Sequence, residues 1–169
     1  MKKIGLLGGS FDPPHKGHLF ISREAKKILK LDEIWWLVTP QNPLKISIPA
    51  TYSERVKNCK NITRNFPVKI KEIEKKIEAD YSFKTISFIL NHYNNIKFFW
   101  LMGADNLINF HKWRKWKKIS EKTTILVFDR QGFKSKSIKS ISFKKLNKKS
   151  LNFIMFKKIN ISSSKLRNI

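Results

Sequence analysis

Gly8-Gly9-Ser10-Phe11-Asp12-Pro13-Pro14-His15-Lys16-Gly17-His18 is the stretch on which the reading of this chain turns. Ahead of it, Lys3-Ile4-Gly5-Leu6-Leu7 has the length and apolarity of a short buried strand. Behind it, Leu19, Phe20, Ala25, Ile28 and Leu29 recur at helical spacing and predict a helix from Gly17 to Lys30. Two glycines end a strand, a Pro-Pro corner turns the chain, and two histidines stand where a helix begins. Gly8 and Gly9 carry no Cβ, so backbone N–H groups of the turn can approach an anion closely. The following helix directs its positive end the same way. His15 and His18, three apart, can project together, which describes a phosphate site with two proton-bearing side chains. In a bare turn the same histidines would only cap the helix or pair with carbonyls. The glycine spacing is not that of the dinucleotide fingerprint, and no Gly-Lys-Ser/Thr follows to make a P-loop.

Working outward, Glu33-Ile34-Trp35-Trp36-Leu37-Val38 is an apolar run of strand length. Strand, helix and apolar strand make a βαβ unit, hence a parallel sheet. Ligands on such sheets bind beyond the carboxyl ends of the strands, where the glycine turn and Thr39-Pro40-Gln41-Asn42-Pro43-Leu44-Lys45 both fall. Tyr52-Ser53-Glu54-Arg55 opens a helix through Val56, Cys59 and Ile62, with Ser53 as the expected N-cap. Cys59 lies on its apolar face and reads as packing. A short strand follows at Val68-Lys69-Ile70, then a charged and ambiguous stretch from Glu72 to Asp80. Tyr81-Ser82-Phe83-Lys84-Thr85 leads into another helix. Lys97–Met102 is a further apolar strand running into Gly103-Ala104-Asp105-Asn106, and Leu107, Phe110, Trp113 and Trp116 form an aromatic stripe. Thr123–Phe128 and Asn152–Phe156 complete the strands, five or six in all. Phe133–Ser150 is rich in Lys and Ser and is expected to be a mobile or irregular loop.

The 169 residues suit one domain with a real core. No apolar run reaches membrane-spanning length. The single cysteine rules out an intramolecular disulfide and suits a reducing cytoplasm. Only four histidines and one cysteine are present, so a zinc site is not expected. Lys and Arg total 36 against 12 acidic residues, a net charge of +24. That excess could bind nucleic acid, could draw phosphate-rich small molecules, or could be compositional drift. The lysines are scattered from Lys2 to Lys165, which favours the second and third readings over nucleic acid.

The Gly-Gly-Ser-Phe-Asp-Pro-Pro-His-Lys-Gly-His stretch resembles the nucleotidylyltransferase signature with its His-x-Gly-His core. Within that superfamily the chain is similar to the nicotinate-nucleotide adenylyltransferases. Ile161-Ser162-Ser163-Ser164-Lys165-Leu166-Arg167 resembles the second superfamily signature, at the other end of the chain. The resemblance implies a single α/β domain over 1–169, a Rossmann-like, mostly parallel sheet flanked by helices. It implies transfer of adenylate from ATP, carried with Mg²⁺, to nicotinate mononucleotide, giving deamido-NAD and pyrophosphate. Other adenylyl- or cytidylyltransferases of the superfamily, such as one acting on phosphopantetheine, remain the nearest alternative. A basic nucleic-acid-binding protein on an inactive version of the fold is the alternative from another class. No membrane partner is expected, and a homo-oligomer stays open.

The resemblance also implies roles residue by residue. His15, His18, Lys45 and Arg167 would act on the phosphates. Gly8, Gly9, Ser10 and Phe11, with Ser162, Ser163 and Ser164, would hold phosphate oxygens. Gly103 and Asp105 would contact the adenosine ribose, an Asp suiting a diol because it accepts two hydrogen bonds. Asp105 could equally cap the next helix. Ser82, Phe83 and Thr85 would hold the pyridine carboxylate, with Asn42 beside them. Ser82 could also be a helix cap. Trp113 would stack on the nicotinate ring and Trp116 would belong to the core. Arg55 matches an arginine the family carries after the proline loop, and would otherwise be a surface salt-bridge residue. Arg114 stands where relatives often have Tyr. Asp129-Arg130-Gln131-Gly132 resembles the family's arginine–glycine turn.

Overall fold

The computed structural model describes residues 1–40, 50–129, 132–146, 149 and 151–154. Its centre is a six-stranded sheet: β1 (Lys2–Gly9), β2 (Glu33–Val38), β3 (Val68–Lys71), β4 (Ile96–Gly103), β5 (Thr124–Phe128) and β6 (Leu151–Ile154). The strand order is β3-β2-β1-β4-β5-β6 and every pairing is parallel. This is the doubly wound order, so the chain reverses direction across the sheet between β1 and β4 and leaves a crevice at their carboxyl ends.

Alternation along each strand builds two cores. Ile4, Leu6, Trp35, Leu37, Phe98, Trp100, Met102, Ile125 and Val127 face one side. There they meet α3 (Ile73–Lys76), α4 (Ser82–His92), α5 (Ala104–Asn109) and α6 (Trp116–Lys122), with a single 3₁₀ turn at Phe110–Lys112. Leu7, Ile34, Trp36, Val38, Phe99, Leu101, Leu126 and Phe128 face the other, against α1 (Lys16–Leu29) and α2 (Tyr52–Ile62). Both faces are covered, which is why β2, β4 and β5 read as continuous apolar runs. At the amino-terminal edge Glu33 accepts from Lys2 (2.6 Å), Lys69 (2.9 Å) and Trp35 Nε1 (2.7 Å), joining β1, β2 and β3. Those bonds, Lys2's first, bring its carboxyl down to about 2.

Three local readings need correction. The cap of α2 is Thr51, not Ser53: Thr51 Oγ1 accepts from Glu54 N while the Glu54 carboxylate accepts from Thr51 N at 2.8 Å. Thr51-x-x-Glu54 is a capping box, and the reciprocal pair satisfies two donors where Ser53 could satisfy one. Next, part of the ambiguous 72–80 stretch folds as α3, with Glu74 buried. Finally, 133–150 is not simply an irregular loop. It contains α7 (Lys134–Ile138) and α8 (Ile141–Lys145), the latter capped by Ser140 Oγ on Phe143 N. Their buried positions are mostly small and polar, Ser137 and Ser142, with Phe143 half-buried and Leu146 buried just beyond α8. That face carries too little apolar periodicity to read from sequence.

Candidate active site

β1 ends at Gly9, and the turn after it carries Ser10, Phe11 and Asp12, all buried. Gly8 has a packing reason to lack a side chain. A Cβ there would lie 2.9 Å from Trp100 Cη2, so the indole of β4 occupies the space beneath the strand. This packing ground stands beside the expected close approach of an anion to the turn. At Gly9 a Cβ would meet the Phe11 ring at an ordinary 3.5 Å.

His15 is the N-cap of α1. Its Nδ1 accepts from Gly17 N at 3.1 Å, and His18 Nδ1 accepts from His15 N at 3.2 Å. The two imidazoles thus form a reciprocal capping box, with ring centroids 3.9 Å apart and planes inclined by 28°. Capping and chemistry are not alternatives here. A nitrogen that accepts a main-chain N–H carries no hydrogen, so the bond pattern assigns the neutral hydrogen of each ring to Nε2. Both histidines are held as Nε2–H donors at the positive end of a helix.

Behind them is an aromatic wall. Phe11 stacks on Trp36 (4.6 Å, 9°) and leans on His18 (4.8 Å, 56°). Trp36 Nε1 donates to Ser22 Oγ at 2.8 Å, and Ser22 Oγ donates to the His18 carbonyl at 2.9 Å. Trp36 and Ser22 are both buried, so this chain of bonds fixes the first turn of α1 against β2.

Across the crevice, β4 ends at Gly103, the N-cap of α5, with Asp105 in the first turn. Asp105 is therefore not the cap. A Cβ on Gly103 would run into Asp105 Oδ1, so the Gly-x-Asp spacing lets the carboxylate fold back over the strand end. Trp113 is half-buried and meets Trp100 and Phe110 edge-on, at 6.3 and 5.2 Å. Trp116 is also half-buried, edge-on to Phe110 at 5.9 Å. Tyr81 is the N-cap of α4 and makes no side-chain cap bond, so Ser82, at the first helical position, is not the cap either. Arg114 lies over the Tyr81 ring at 4.6 Å and 3.8 Å from Asp80, which brings the Trp113 segment beside the start of α4. Phe83 is half-buried under Lys115 Nζ at 5.2 Å. Thr85 is fully buried. Asn42, Lys45, Arg130, Ser162, Ser163, Ser164 and Arg167 lie outside the described residues.

Two buried charged groups remain: Arg55, matched above to a family arginine, and Glu74, which the sequence did not single out. Arg55 is 2% exposed and donates to the carbonyls of Ser10 (2.6 Å), Thr39 (2.8 Å) and Pro40 (2.7 Å). It is not a surface salt-bridge residue. Burial lowers its pKa, opposed by the field of Asp12. Its spacing of four from buried Cys59, whose thiol burial pushes up to about 12, was the available signal. Glu74 is 4% exposed, and burial raises its carboxyl to about 7 although the hydroxyls of Thr39 and Thr85 oppose the rise.

A cytidylyltransferase-like family model matches residues 6–169. A probable nicotinate-nucleotide adenylyltransferase of Pelagibacter ubique is 51% identical over 168 residues, 99% of this chain and 93% of that protein. The chain belongs to the nicotinate-nucleotide adenylyltransferase family. Another member, from a Ruegeria species, is 46% identical over 129 residues, 76% of this chain and 68% of that protein. Among solved structures, the Plasmodium falciparum nicotinic acid mononucleotide adenylyltransferase complexed with NaAD superposes with a TM-score of 0.84. It covers 99% of this chain and 83% of its own, at 22% identity, and shows that the family fold is the one described above. No helix among the described residues is long and apolar enough to cross a membrane.

Proposed function

We propose that this chain transfers the adenylyl group of ATP to nicotinate mononucleotide, releasing pyrophosphate and forming deamido-NAD. The observation that carries the chemistry is the imidazole pair whose Nδ1 atoms are spent on the cap of α1, which makes both rings Nε2–H donors. The acceptor follows the family of the 51% identical relative.

The nucleotide phosphate is already an anionic nucleophile, so no strong general base is required. One of its oxygens forms a bond to the α-phosphorus of ATP. The bond from that phosphorus to the bridging oxygen breaks, and pyrophosphate leaves with the electron pair. Catalysis is then alignment and charge stabilisation. His15 and His18 would donate to α- and β-phosphate oxygens as charge moves onto the leaving group. N–H groups from Gly9 to Phe11 would hold the α-phosphate or the attacking one. Lys45, Ser162, Ser163, Ser164 and Arg167 would neutralise pyrophosphate. Asp105, with Gly103, would accept from the adenosine ribose. Trp113 would stack on the pyridine, with Ser82, Phe83, Thr85 and Asn42 about its carboxylate. Among the described residues no three His, Cys, Asp or Glu side chains converge on an ion position. Mg²⁺ would enter as part of the substrate, held by ATP phosphates and water.

The test is pyrophosphate release from MgATP with nicotinate mononucleotide, nicotinamide mononucleotide or phosphopantetheine as acceptor. Strong preference for the nicotinate form is expected. Turnover with phosphopantetheine alone overturns the acceptor, and no release with any of the three overturns the activity.

A further inference from the structure

The phosphate turn has a feature that does not sustain itself. Phe11 carries a φ of 49°, in the left-handed region that a bulky side chain avoids. Such a residue persists only where its surroundings over-determine it. Two supports are visible: the Phe11 ring on Trp36, and Arg55 on the Ser10 carbonyl.

Filling the space beneath the turn does not call for a guanidinium. An apolar side chain would pack α2 against the sheet without desolvating a cation. What Arg55 adds is direction. Its Nη1 holds the Ser10 carbonyl just past β1 and the Thr39 carbonyl just past β2, while Nη2 holds Pro40. One buried fork thereby sets the two loops that leave the ligand edge at a fixed separation. In a trans peptide the C=O and N–H point in opposite directions, and the only cis bond among the described residues is Asp12–Pro13. A Ser10 carbonyl drawn toward Arg55 turns the Phe11 N–H away from it. The cation also polarises that peptide unit, which strengthens the N–H as a donor.

We infer that Arg55 is a positioning residue that aims and strengthens the Phe11 N–H as a donor to substrate phosphate, and that locks the turn after β1 to the loop after β2. The inference rests on the reading of this turn as the phosphate site.

Arg55→Lys keeps the charge and loses the planar fork. ATP without acceptor is the probe, and the Phe11 amide is the reporter in ¹H–¹⁵N spectra. In the wild-type chain that amide is expected to shift on ATP addition. In Arg55→Lys, with unchanged far-UV circular dichroism, the shift should be lost and kcat should fall roughly tenfold to a hundredfold. Arg55→Ala should regain part of its rate with added guanidinium and none with equal sodium chloride. A wild-type Phe11 amide indifferent to ATP, or an Arg55→Lys enzyme with full turnover, overturns the inference. So does a folded Arg55→Ala chain that guanidinium does not help; should Arg55→Ala not fold, Arg55→Lys decides. The spectral test needs no acceptor, so it stands or falls separately from the choice of nicotinate mononucleotide.

Discussion

His18 does two jobs with its two nitrogens, and two substitutions separate them. Asn places Oδ1 on the same bond path as Nδ1, so His18→Asn keeps an acceptor for His15 N, the bond now made at 3.2 Å. It has nothing at the Nε2 position. Gln reaches out to Nε2 with an amide N–H but offers no acceptor at Nδ1. Losing a donor that works only as charge develops costs about 3–4 kcal/mol of transition-state stabilisation, or roughly 10²–10³ in kcat. Losing one half of the capping box costs about 1 kcal/mol of fold stability, or about 2–4 °C in Tm for a chain of this size. The expectation is therefore crossed. His18→Asn keeps its Tm and loses turnover by the larger factor. His18→Gln loses a few degrees and retains more of its rate. Steady-state pyrophosphate release and thermal melts on the same preparations measure both. An Asn variant that turns over at the wild-type rate, or that melts as low as the Gln variant, would refute the assignment of roles to the two nitrogens.

Two further outcomes follow from packing and burial. Gly8→Ala drives a methyl into Trp100 and should lower stability by about 1–3 kcal/mol, read as a drop in the urea midpoint. Unaltered stability would mean that the indole yields freely. Glu74 supplies a pH signature, since its folded pKa of about 7 stands above the ordinary 4.5. The folded state then keeps a proton that the unfolded chain has released. This group's contribution falls as pH rises from about 4.5 to about 7 and stays lost above, by about 3 kcal/mol in all. Glu74→Gln should flatten that decline, so its advantage over wild type grows from pH 5 to pH 8 in paired chemical melts. An advantage that does not change with pH would argue against the burial effect.

The sequence by itself determined the layout. Periodicity and apolar run length depend only on local order, so β1, α1, β2, β4 and β5 were legible to within a residue or two. The first motif named the chemistry, because strand, glycines, Pro-Pro and paired histidines constrain one another over eleven consecutive positions. Thr51-x-x-Glu54 is likewise a capping-box pattern legible in local sequence. What only the tertiary structure decided is which polar groups lie inside. Arg55 and Glu74 look like two more charges in a chain with 48 of them, and their burial depends on carbonyls and hydroxyls supplied by other segments. The reason for glycine at Gly8 is likewise a tryptophan 92 residues away in sequence and next to it in the sheet. The two histidines gain their donor tautomer from backbone N–H groups whose directions exist only once α1 has formed. Local order sets where strands and helices fall, whereas the cost of burying a polar group depends on partners that distant segments bring.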